Sequence, residues 1–113
     1  MSASELYDLM KEAITKEDSE SVRSLTNNPT YEANRRGGSD QRTNLHTAVM
    51  IQSLIILTML LGQNNIDPNI LTSKGFSPLM LACECLRIDA LKILLEVGDR
   101  GDRIFMFFSC IIL

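Results

Sequence analysis

The sequence predicts an all-α protein, a solenoid of about three stacked helix pairs. Three observations carry this prediction. Segments 43–62 and 77–98 show one apolar pattern laid 34 residues apart, a spacing at which helical units stack on their neighbours. In each copy a hydroxyl residue stands where a first helix would start, and apolar residues at helical spacing mark a second. A fainter copy emerges upstream, offset by 35 residues: Ala13, Val22 and Leu25 align with Ala48, Leu57 and Leu60, and Asn34 aligns with Asn69. The predicted organisation is a repeat domain over 1–99, with units at about 5–37, 40–72 and 73–99, followed by an apolar tail over 100–113.

Each element has its own reason. Thr43 is placed to cap the first helix of the second unit through its hydroxyl, which accepts from backbone N–H groups left without partners. Ser77 takes that role in the third unit, with Pro78 at the first helical position, where its fixed φ suits a helix and its missing N–H costs nothing. For the second helices the spacing predicts buried stripes of Leu54, Leu57 and Leu61, repeated as Ile88, Leu91 and Leu95. Gly98 is the expected stop. Small Ala48 and Ala82 allow neighbouring helices to approach closely. Asp67-Pro68-Asn69 and Ser73-Lys74-Gly75 bracket a tight extended turn between units, and Asp18-Ser19-Glu20-Ser21 reads as a polar turn within the first.

The run Ala48–Leu61 is very apolar but only fourteen residues long, whereas a membrane span needs about twenty. Burial on all sides between neighbouring repeats accounts for it better. Residues 104–113, Ile104 to Leu113, are ten nearly apolar residues after Arg100-Gly101-Asp102-Arg103, with no helical periodicity. Three readings are open: a cap folded back over Leu91 and Leu95, insertion into a partner or membrane surface, or an abnormal or alternative end to a longer repeat protein. The abrupt change in mid-pattern favours the last.

Charge and cysteine usage bound the function. The net charge of −3 argues for no nucleic acid. Its distribution is uneven: seven acidic groups lie in residues 1–32, and then Arg35, Arg36 and Arg42 face Asp40 alone. Three cysteines make no disulfide framework, and the opening residues have no basic and apolar leader. A reducing cytoplasmic setting, extending to the nucleus, is expected.

The third unit reads Gly75-Phe76-Ser77-Pro78-Leu79-Met80-Leu81-Ala82, then Ile88, Ala90-Leu91, Ile93-Leu94-Leu95 and Gly98. The second reads Thr43-Asn44-Leu45-His46-Thr47-Ala48, then Leu54, Ile56-Leu57 and Leu60-Leu61. On these residues the chain resembles the ankyrin-repeat family over about residues 5–99. The second unit departs from the family pattern at Gln41 (usually Gly), at Asn44 (usually Pro), and by one extra residue before Asp67. Within the family, Leu45–Val49, Gln52, Leu60-Leu61-Gly62, Asp67-Pro68 and Pro78–Glu84 look similar to the inhibitor-of-κB group and the related repeats of Rel-protein precursors.

The resemblance implies a non-enzymatic module that binds a protein partner through loop tips and the exposed side of each unit's first helix. Carried onto this chain, the family's contact positions are Thr15 and Lys16, then Ser39, Arg42, Met50 and Ile51, then Ser73, Lys74, Phe76, Glu84 and Cys85, with Arg35 and Arg36 adding charge. Met50, Ile51 and Phe76 are apolar where solvent is expected, as at interaction sites. The resemblance to the inhibitor-of-κB group implies a Rel-type transcription factor as partner. A generic cytosolic adaptor, or a membrane-associating protein using the apolar tail, is the alternative. No small-molecule substrate, cofactor or direct nucleic-acid contact is expected. The single His46 excludes a His-based metal set, and Cys83-x-Cys85 lacks the second pair that a tetrahedral zinc site uses. In such repeats this histidine is structural, bonding across the loop between units.

Overall fold

The computed structural model describes residues 2–63 and 65–98. They form six helices in three antiparallel pairs: α1 (Ala3–Thr15) with α2 (Ser19–Thr26), α3 (Asn44–Ile51) with α4 (Leu54–Leu61), and α5 (Pro78–Glu84) with α6 (Ile88–Gly98). α1, α3 and α5 stack as an inner row, and α2, α4 and α6 as an outer row. Among the described residues the only strand-like pairing is one antiparallel bridge between Gly37 and Arg42. The apolar stretch 100–113, with its three readings, lies outside them.

The inner helices start where the sequence places their caps. The Thr43 hydroxyl accepts from the His46 amide, and the Ser77 hydroxyl accepts from Met80 with Pro78 opening the helix. α3 and α5, of 8 and 7 residues, then stop after about two turns, whereas α1 runs for 13 residues. Glu17, Gln52 and Leu86 take left-handed φ of 55°, 66° and 56°, which reverses the chain toward the outer helix. A fresh cap opens two of those: Asp18 accepts from Ser21 and Ser53 from Ile56. Asp18–Ser21 is therefore the cap and first turn of α2 rather than a turn between helices.

The outer helices correct the predicted stripes. Leu54 and Ile88 are 36% and 52% exposed, whereas Ile56, Leu57, Leu60 and Leu61 of α4, and Ala90, Leu91 and Leu94 of α6, are buried. Leu95 is half-buried against the core. The buried face is wide because each outer helix packs on both its inner partner and the neighbouring outer helices. First-turn residues then overhang the end of the stack. Ala48–Leu61 is not buried all round either: it breaks at Gln52-Ser53, and Ile55 is 68% exposed.

Asn44 shows what the missing family proline costs. It is 1% exposed; its amide nitrogen donates to the Tyr31 hydroxyl at 3.1 Å, while its Oδ1 has no partner. Thr43 already has the extended ψ, 167°, that a following proline requires. Asn44→Pro should raise stability by about 0.5–1 kcal/mol, by removing the orphaned acceptor and narrowing the unfolded ensemble. A lower urea midpoint than the parent's would show that the bond to Tyr31 outweighs both gains.

Candidate protein-binding face

The loops between units are held in place by side chains from the helices before them. In the first hairpin Gly37 and Arg42 exchange both backbone hydrogen bonds at 3.0 Å, with Gly38 at φ +75° in the turn. The Tyr7 hydroxyl, reaching from α1, donates to the Arg42 carbonyl at 2.7 Å. Its ring fills the space where a Cβ on Gly37 would stand, 2.5 Å from Cε1, so that position admits only glycine unless the ring moves. Burial, helped by Asp8 and opposed by Arg42, raises the Tyr7 pKa, which keeps the phenol a donor.

His46 does the same for the next loop. Its Nδ1 accepts from the Thr43 amide at 3.1 Å, so Nε2 carries the proton and donates to the Phe76 carbonyl at 2.9 Å. The side chain is fully buried. Burial lowers its pKa, and Arg42 and Arg36 lower it further against the raising effect of the bond to Phe76. A neutral imidazole is what this geometry needs, because Nδ1 must keep its lone pair. The loop closes on itself through Thr72, whose N–H donates to the Phe76 carbonyl at 2.8 Å and whose hydroxyl accepts from the Phe76 amide. Successive tips are also tied: the Asp40 carbonyl accepts from both the amide and the hydroxyl of Ser73, at 2.9 and 3.0 Å.

The residues expected at a contact surface fall into three places. Ser39, Arg36, Arg42, Ser73, Lys74 and Phe76 lie on or beside the hairpins, with Ser39, Arg36, Ser73 and Lys74 exposed and Phe76 half-buried. Arg36 donates to the Gln41 carbonyl and Arg42 pairs with Asp40 at 3.4 Å. Thr15, Lys16, Met50, Ile51, Glu84 and Cys85 lie at the far ends of the inner helices. There Cys85 Sγ meets Met50 Sδ at 3.6 Å. Ile51 is packed against the core, not free in solvent. Arg35 stands apart from both groups. It pairs with Glu32 at 3.5 Å and lines a polar cleft of about 840 Å³ at the C-terminal ends of α2 and α4.

A family model for ankyrin repeats in three copies matches residues 9–103. The chain belongs to the ankyrin-repeat family. Comparison with curated proteins returns no match. Ankyrin repeats are generally protein–protein interaction modules. Among the described residues no group of three or more His, Cys, Asp or Glu could hold a metal ion, and Cys83 and Cys85 form no disulfide there. No helix among them is long and apolar enough to cross a membrane.

Sequence reasoning missed three residues that order the loops, Tyr7 at the hairpins and Arg87 with Gln52 at the opposite end of the inner helices. Tyr7 lies outside the repeat pattern, since the position in register with His46 in the first unit is Lys11. A pattern search reads only what recurs. Arg87 donates to the Met50 carbonyl at 3.3 Å, and Gln52, with its side-chain oxygen turned toward Arg87, accepts from Nε at 3.1 Å. No local signal in the sequence joins two turns 35 residues apart.

Proposed function

We propose that this ankyrin-repeat domain is a non-enzymatic adaptor that binds a protein partner through its hairpin tips and inner helices. The observation that carries the reading is the bonded stack of tips, Asp40 on Ser73 and His46 on Phe76, which holds Lys74 and Phe76 in fixed positions without further ordering cost on binding. Phe76 supplies an apolar anchor, and Arg36 and Arg42 supply charge at the rim.

A Rel-type transcription factor is the specific partner we propose, supported by the similarity of Leu45–Val49, Asp67-Pro68 and Pro78–Glu84 to the inhibitor-of-κB group. Such a partner fits residence in cytoplasm and nucleus. The complex should then compete with DNA for the factor, and an undiminished mobility shift of DNA-bound factor at saturating domain would exclude that partner while leaving the binding surface untouched.

Phe76→Ala should mainly speed dissociation, by about 1–2 kcal/mol in affinity. Arg36→Glu with Arg42→Glu should slow association and flatten its salt dependence, whereas Arg35→Glu, on the polar cleft, should change neither rate. Surface plasmon resonance with a captured partner decides the matter. Parent-like kinetics in both the Phe76 and the double-arginine variants would reject this face.

A further inference from the structure

The turns joining inner to outer helices form a second edge, at the opposite end of the helices from the hairpins, and its chemistry changes along the stack. In register, the left-handed position is Glu17, then Gln52, then Leu86, and the first residue of the outer helix is Ser19, then Leu54, then Ile88. The first unit is acidic and exposed here at Glu17, Asp18 and Glu20; of the cations near them, Lys16 is drawn to Glu12 at 2.8 Å and Arg23 lies a turn further along α2. The other two units expose large apolar groups here, Leu86 at 77%, Ile55 68%, Ile88 52% and Leu54 36%, with Gln52 and Asp89 exposed among them. Between Leu54, Leu86 and Ile88, and walled also by Gln52, Arg87 and Asp89, lies a cleft of about 300 Å³.

Nothing in the fold calls for this surface. A leucine at φ +56° is strained, because its Cβ crowds the following carbonyl in the left-handed region. Glu17 and Gln52 meet that constraint in the other units with side chains that solvent welcomes. Arg87 does not screen the patch: its guanidinium is committed to the Met50 carbonyl and to Gln52, which fixes the turn and leaves Leu86 exposed. Contiguous large apolar groups on a small domain mark a site of association.

We infer that this edge docks an amphipathic segment of a partner protein, basic at one end and apolar at the other. The acidic first unit selects the basic end and the apolar second and third units take the rest, so charge fixes the direction in which the segment lies. Helices pack about 8–10 Å apart, so three units span roughly 20 Å, the length of about fourteen helical residues at 1.5 Å each. The segment is thus a helix of about four turns, with lysine or arginine at one end and leucine-like residues at i, i+3, i+4 and i+7 at the other. This surface is separate from the hairpin face, and it stands or falls independently of the Phe76 reading.

The probe is a fluorescein-labelled eighteen-residue helical peptide with three lysines in its first two turns and four leucines at that spacing in its last two. Two controls accompany it, one with glutamate for lysine and one with the leucines scrambled. Anisotropy against the full chain should show saturable binding of the first peptide only, weakened several-fold between 50 and 300 mM salt. Leu86→Gln restores the residue type of the second unit and should weaken binding about tenfold at an unchanged melting temperature; Glu17→Lys with Glu20→Lys should weaken it and remove the salt effect. Amide shifts confined to residues 17–20, 52–55 and 86–89 would support the proposal. Equal binding by parent and Leu86→Gln, equal binding of the control peptides, or shifts centred on Phe76 would overturn it. A homodimer that Leu86→Gln dissociates would assign the edge to a second copy of the chain. Tighter peptide binding after deletion of 104–113 would assign it to the chain's own apolar stretch. Either result would likewise overturn a partner as occupant.

Discussion

Leu79→Ala should destabilise the domain by about 2–5 kcal/mol, the range for deleting a buried branched side chain and leaving a cavity, while Leu86→Ala in the same unit should change stability by less than about 0.5 kcal/mol. The two leucines are seven positions apart and identical in chemistry, so only their surroundings separate them. Leu79 is 4% exposed and belongs to the continuous core that runs through all three units. Its helix α5 packs on α3 and α6, so a cavity there loosens the contact between units as well as the unit itself. In a solenoid that contact is most of what holds a terminal unit in place. At about 4–8 °C per kcal/mol for a domain of this size, Leu79→Ala should melt at least about 8 °C below the parent. Equal melting of the two variants would mean that the third unit is not docked on the second.

The repeat frame and the inner helices were legible from the sequence because both rest on local chemistry. Hydroxyl caps three residues ahead of an amide, proline at a first helical position, and apolar residues recurring at 34 all act within a turn or between equivalent positions. The outer-helix stripes were legible only in part. A stripe drawn at i, i+3 and i+7 assumes one neighbour, and α4 has three, so Ile56 and Leu60 were drawn into the core while Leu54 was left at the end of the stack. The candidate site was harder still. Its positions came from a resemblance, and the three arginines near 35–42 look like one cluster along the chain. Their separation depends on the hairpin at Gly37–Arg42, which sends Arg36 and Arg42 to its own flank and leaves Arg35 over the ends of α2 and α4. Tyr7 and Arg87 work across 35 and 37 residues of sequence, and no periodic signal reports such a bond.

Acid should weaken the domain through His46 before any carboxylate takes part. The folded state holds this imidazole neutral with its pKa below the ordinary value, chiefly by burial, whereas the unfolded chain binds a proton near the ordinary value of about 6.5. Because the folded pKa is depressed, the stabilisation is fully present above about pH 6.5. It is lost as pH falls from there toward the folded pKa, at up to about 1.4 kcal/mol per pH unit. Protonation would also turn Nδ1 from acceptor to donor against the Thr43 amide, which weakens the start of α3, while Nε2–H goes on donating to the Phe76 carbonyl. His46→Ala should cost about 2–4 kcal/mol at pH 7.5, since it leaves the Thr43 N–H and the Phe76 carbonyl short of a buried partner. It should also flatten the dependence of stability on pH between 6.5 and 5. Urea denaturation of parent and variant across that window measures both effects. Parallel curves would show that the imidazole titrates alike in folded and unfolded chains, and hence that it does not bridge Thr43 and Phe76 in solution. The bond from Nε2–H to the Phe76 carbonyl is what ties the hairpin that carries Phe76 and Lys74 to α3, so any partner held at that tip should dissociate faster from His46→Ala than from the parent at pH 7.5, and equal rates would show that the tether does not order the tip.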